Sequence, residues 1–189
     1  QEADERTYLK ALSVLKVNVY QEESGMVWTT PDRLPHKFMW LWDSAFHAIS
    51  YRHFSDELAY STINAVLKEQ WDDGFIPHMM NPTSSKKISH ITQPPILAWS
   101  SWTLYEKTLN KEFLNHVYPI LSKYIKWCLT NRNHGPSSLL WWVIDEKNLL
   151  CRCGESGMDN SPRFDKYDSN VGVDLNSFLV KECKCLSNI

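Results

Sequence analysis

Apolar spacing along the chain divides it into six helical stretches separated by polar, Gly- and Pro-bearing segments. The first covers about residues 2–20, with Leu9, Leu12, Leu15 and Val19 on one stripe. A loop rich in Trp, Thr and Pro follows over about 22–38, and a second helix spans about 43–54. Ser55 is a natural N-cap for the third, which runs to about residue 70 and buries Ala59, Ile63, Val66 and Leu67. The segment 71–90 reads as a long loop broken by Gly74, Pro77 and Pro82. A fourth helix is predicted from about Thr92, with Pro94 and Pro95 in its first turn, and carries Ile96, Trp99, Trp102 and Leu104. The fifth, over about 111–132, aligns Phe113, Val117, Leu121, Ile125 and Cys128 on one face, and Pro119 should kink it. Leu139 to Ile144 suggests a short β element near 139–146, and a sixth helix starts near Asp174.

Short turns and long loops alternate between these helices. That pattern predicts an all-α fold of stacked helical hairpins, with the long loops collected on one face, where sites usually sit. The sixth helix runs to Ile189 without a capping Gly or a closing partner, so the architecture reads as unfinished.

Composition sharpens this picture in only two places. Of the 189 residues 43% are hydrophobic and 22% charged, with a net charge of −2, which suits one globular domain and gives no sign of nucleic acid as a partner. No apolar run reaches the length needed to span a membrane. The aromatic content of 13% is high, with nine tryptophans, and Trp serves either as core or as a platform for sugar faces. Five cysteines include two C-x-C pairs, at 151–153 and 183–185, a spacing unlike the usual zinc knuckle. Free thiols in a reducing, cytoplasmic setting are the expected reading, with a structural zinc site as the alternative.

Three loop segments carry candidate chemistry. In Met39-Trp40-Leu41-Trp42-Asp43-Ser44-Ala45-Phe46-His47, a carboxylate flanked by aromatics could hold sugar hydroxyls, or Asp43 could merely N-cap the second helix. In Trp71-Asp72-Asp73-Gly74-Phe75-Ile76-Pro77-His78, His78 could bind a hydroxyl or be an ordinary surface histidine. The segment from Gly154 to Asp165 contains Glu155 and Asp159 in a Gly-flanked loop that suits a general acid with room for a leaving group. A calcium loop is the rival there, but the spacing is not that of an EF-hand and Arg163 sits badly in a cation cage. A plain acidic turn is the third possibility.

The four ordered strings MWLWDSAFH, WDDGFIPH, QPPILAW and ESGMDNSPRFD resemble glycoside hydrolase family 63, in its branch of bacterial α-glucosidases and mannosylglycerate or glucosylglycerate hydrolases. The resemblance runs from about residue 5 to the end of the chain. It implies a catalytic toroid of twelve helices, (α/α)6, of which residues 1–189 form the first half as a single partial domain. It implies Asp159 as the general acid and Trp40, Trp42, Asp43 and Phe46 as the floor of the sugar pocket. Gly157 leaves room for the sugar ring, and His78 and Gln93 face the pocket. The implied reaction is inverting hydrolysis of an α-glucoside or α-mannoside, with a small sugar or oligosaccharide as substrate and no metal or organic cofactor. The family's general base, a Glu in the other half of the toroid, matches nothing here. Glu155 is a poor substitute, because inverting enzymes hold their carboxyls about 6.5–9.5 Å apart across sugar and water. This half alone is therefore expected to be inactive. A non-catalytic sugar-binding or interaction module is the alternative from another class.

Overall fold

The computed structural model describes residues 2–34, 36–84, 86, 88–133, 135–145, 147–148, 150–165 and 169–189. Six helices carry the fold: α1 (Glu2–Val17), α2 (Leu41–Tyr51), α3 (Asp56–Lys68), α4 (Leu97–Thr108), α5 (Lys111–Asn131) and α6 (Val173–Asn188). Connections of a few residues join α2 to α3 and α4 to α5, whereas long segments lead into α2, α4 and α6. The helices α2, α4 and α6 pack side by side, with α3 and α5 against them. This two-layer alternation is that of a partial helical toroid.

Local chemistry explains most of the boundaries. The Ser55 hydroxyl accepts from Leu58 N at 3.2 Å and starts α3, as predicted. Asn110 does the same for α5, accepting from Phe113 N at 3.0 Å. Between them, α3 and α5 bury every apolar residue that the spacing marked on them. The α5 helix continues across Pro119. Polar ties lock the layers: the Ser100 hydroxyl donates to Ala45 O at 3.0 Å and Arg52 Nη1 to Thr103 O at 2.9 Å, both joining α2 to α4.

Four expectations need correction. The fourth helix starts at Leu97, not Thr92, because consecutive prolines hold the preceding residues extended. The first helix ends at Val17, not about residue 20, and Val19 passes into a strand; along α1 itself Leu9 is 54% exposed and Leu12 and Leu15 are half-buried. Asp43 is not an N-cap; Trp40 flanks α2 without a side-chain cap, and Asp43 lies inside the first turn.

The fourth concerns β structure. Instead of one β element, three two-stranded antiparallel ribbons occur among the described residues. They pair β1 (Val19–Gln21) with β2 (Val27–Thr29), β3 (Met39–Trp40) with β4 (Met79–Met80), and β5 (Trp141–Val143) with β6 (Ser169–Val171). Strands of two or three residues are too short to show alternation in a sequence. The expected element near 139–146 is β5, and Glu146 lies outside the described residues. Each ribbon braces one of the long segments, and the ribbon β3–β4 ties the first candidate string to the second.

Candidate active site

Three long segments converge at the start of α2. Main-chain bonds set the frame: Leu41 N donates to His78 O at 3.0 Å, and His78 N to Ile91 O at 2.7 Å. The buried Gln93 side chain completes it, its Oε1 accepting from Trp42 N at 3.1 Å. Trp40 meets the His78 ring edge-on with centroids 5.3 Å apart, and Trp42 lies 5.7 Å from Phe46. Residues 40–46, 78 and 93 are thus one constellation.

The third string closes onto it at Gly157. This residue has φ +67°, and a Cβ there would lie 2.2 Å from Trp42 Cζ2, so the indole sits directly on the glycine. The space that a Cβ at Gly157 would need is occupied by the Trp42 indole. The turn Gly154–Ser156 and Gly157 then bring Asp159 within electrostatic range of Asp43. Asp159 is exposed and Asp43 half-buried. Burial, chiefly, raises the Asp43 carboxyl above its usual range, and the Asp159 charge adds to this. The Cys151 thiol is pushed up to about 11, first by burial and then by the charge of the nearby Asp159 carboxylate.

His78 is held neutral. Burial brings it down to about 4, against an ordinary 6.5. The Ser89 hydroxyl donates to Ile91 O at 3.2 Å, so His78 donates to Ser89 Oγ through Nδ1 and keeps Nε2 as an acceptor. That tautomer follows from the network.

All eight residues of this face stand in strings that the sequence singles out, but most of what supports them does not. Glu155 is fully buried, gripped by Arg132 from the end of α5, and its carboxylate also accepts from Thr92 N and Val143 N, each at 3.2 Å. The Tyr124 hydroxyl bonds Thr92 Oγ1 at 2.7 Å. Glu155 was visible in its string, whereas Arg132 and Tyr124 stand in no pattern at all. Arg163 has its own partner, Asp174, at 2.5 Å, and Asp174 also accepts from Trp142 Nε1 at 3.0 Å. That pairing fixes the loop after Asp159 to the start of α6. None of the five cysteines is disulfide-bonded, and among the described residues no group of His, Cys, Asp and Glu is arranged to hold a metal ion. No helix among them is long and apolar enough to cross a membrane.

Residues 36–185 match the mannosylglycerate hydrolase MGH1-like glycoside hydrolase domain. The chain is 29% identical over 180 residues to the mannosylglycerate hydrolase of Thermus thermophilus, covering 84% of this chain and 41% of that protein. It is 28% identical over 174 residues to the glucosylglycerate hydrolase of Mycolicibacterium hassiacum, covering 76% of this chain and 37% of that one. The chain therefore spans well under half the length of the curated relatives it matches. Among solved structures, a family 63 mannosylglycerate hydrolase from Thermus thermophilus in complex with Tris superposes with a TM-score of 0.69 at 29% identity, over 84% of this chain and 39% of that one.

Proposed function

The chain belongs to the MGH1-like glycoside hydrolase family, and from that premise we propose that it forms the acid-bearing half of an inverting α-glycosidase acting on a small glycoside of the mannosylglycerate or glucosylglycerate kind. The observation that carries the reading is the pairing of two carboxylates of different character on one aromatic face. Asp159 is exposed at the tip of its turn, whereas Asp43 is half-buried in the first turn of α2, which also carries Trp42 and Phe46. Relatives named for hydrolysis of mannosylglycerate and glucosylglycerate support the substrate class.

In this reading Asp159 gives its proton to the glycosidic oxygen as the C–O bond breaks. The Trp40 and Phe46 rings wall the apolar side of the sugar. Asp43 accepts from ring hydroxyls, and Nε2 of neutral His78 accepts another. A second carboxylate, on a part of the enzyme beyond these 189 residues, deprotonates the water that attacks the opposite face and gives the β-product. The chemistry calls for no metal or organic cofactor.

The test is Asp159→Asn in the complete enzyme. Hydrolysis of mannosylglycerate or glucosylglycerate should fall by about 10²–10⁴-fold in kcat with little change in KM. The matching glycosyl fluoride, whose leaving group hardly needs a proton, should lose much less. Asp43→Asn should instead raise KM for every substrate. A near wild-type rate for Asp159→Asn on the glycerate glycoside would refute the acid assignment.

A further inference from the structure

We propose that the buried Glu155–Arg132 pair is the positioning device for Asp159, and this inference rests on the reading of Asp159 as the acid. Asp159 is exposed, and its place depends on the turn that precedes it. Glu155 opens that turn. Its carboxylate accepts four hydrogen bonds from three separate parts of the fold. Arg132 Nε reaches Oε2 at 3.0 Å while Arg132 Nη2 grips Oε1. Thr92 N donates to Oε1 and Val143 N to Oε2, each at 3.2 Å.

The Thr92 contact is the informative one. Segment 91–93 holds the rest of the site: Ile91 O takes the His78 amide, and Gln93 Oε1 takes the Trp42 amide. Glu155 therefore bolts the acid's turn to the same three residues that place His78 and Trp42. Ser156 stiffens the span between, donating to Cys153 O at 2.8 Å and accepting from Met158 N at 3.0 Å.

Arg132 is equally committed. Its Nη1 donates to Asn131 O at 3.0 Å, and its guanidinium lies 4.6 Å from the Trp127 ring centre. A two-point grip of this kind fixes direction as well as distance, which a lysine cannot reproduce. A buried ion pair adds little stability over well-packed apolar groups of the same shape. What it supplies is a unique geometry. Glu155 itself cannot serve as the base, because it is buried with its oxygens already occupied.

The experiment compares Glu155→Gln, Arg132→Lys and Asp159→Asn in the complete enzyme, on whichever of mannosylglycerate or glucosylglycerate the wild type hydrolyses and on the corresponding glycosyl fluoride. Rates are taken per folded molecule, with the folded fraction read from circular dichroism melts. For Glu155→Gln and Arg132→Lys, kcat on the glycerate glycoside should drop by about 10²-fold or more with KM nearly unchanged, while the fluoride loses only about threefold. If Glu155→Gln does not fold, Arg132→Lys, which keeps the charge and loses only the two-point grip, carries the comparison. Normal rates per folded molecule, or equal losses on both substrates, would leave the pair a purely structural element and overturn the proposal. Should Asp159→Asn itself hydrolyse the glycoside normally, the reading of the acid fails instead. A defective Asp159→Asn beside a normal Arg132→Lys refutes the positioning role alone.

Discussion

At Gly157 two requirements meet in one residue. Its φ of +67° lies in the left-handed region, which costs an L side chain about 1–2 kcal/mol. The Trp42 indole occupies the place of a Cβ, so any substituent also displaces a wall of the site. Gly157→Ala should lower stability by at least about 1–2 kcal/mol and reduce kcat/KM by about tenfold or more through the shifted indole. A double-mutant cycle separates the two contributions: with Trp42→Phe, whose smaller ring relieves the clash, the stability cost of Gly157→Ala should shrink toward the backbone part alone. Equal costs in both backgrounds, measured by urea unfolding, would discredit the steric account. Several residues of this face were legible in the sequence because the WD-x-x-F, Gly-Phe-Ile-Pro-His and Glu-Ser-Gly-x-Asp runs put polar groups among glycines, prolines and aromatics. What fills the space over Gly157 was not, since only the folded chain brings Trp42 to it. Glu155 was visible and rightly set aside as a base, but its partner was not legible for a similar reason. Its partner Arg132 stands 23 residues earlier with nothing in its surroundings to mark it.

Among the elements, α4 has the least self-sufficient start. Pro94, Pro95 and Ile96 offer no side-chain acceptor, and the first-turn amides of a helix need one. Glu182, in the middle of α6, supplies it, accepting from Ala98 N at 2.8 Å and Trp99 N at 2.7 Å. This cap comes from 84 residues away, which is why no local pattern announced it. By contrast, α3 and α5 carry Ser55 and Asn110 as caps and continuous apolar stripes, and their extents followed from sequence. Full burial pushes the Glu182 carboxyl up to about 7 from an ordinary 4.5, against the lowering by those amides. A carboxyl whose pKa is raised on folding contributes stability below about pH 4.5 and loses it as pH rises through about 7. His47 and His78, both brought down to about 4 by burial, act in the opposite direction. They cancel when wild type is compared with Glu182→Gln. The stability of wild type relative to that variant should therefore fall between about pH 5 and 7, by up to about 1.4 kcal/mol per pH unit. Denaturant unfolding at several pH values measures it, and parallel stability curves would exclude the titration of Glu182 as the cause.

Over the whole molecule, what matters is which carboxylates can reach a bound sugar. Glu155 and Glu182 are fully buried with their oxygens engaged, and Asp174 is paired with Arg163 and Trp142. Asp43 and Asp159 stand with the aromatic residues at the start of α2, within electrostatic range of each other. An inverting reaction needs its base across the sugar from its acid, about 6.5–9.5 Å away with water between. The alternation of α2, α4 and α6 with α3 and α5 builds one side of a toroid, and the proposed reading puts the base on the other. The 189-residue chain, purified by itself, should consequently show no measurable release of glycerate from mannosylglycerate or glucosylglycerate, a deficit of at least about 10²–10⁴-fold from the missing base alone. Sugar binding is a separate matter, because Trp40, Phe46 and Asp43 are all present. Weak saturable quenching of Trp fluorescence by mannose or glucose, lost in Asp43→Asn, is the expected signal. Turnover by the isolated chain at a rate near that of the complete enzyme would move the base to this half, with Asp43 as the residue to test.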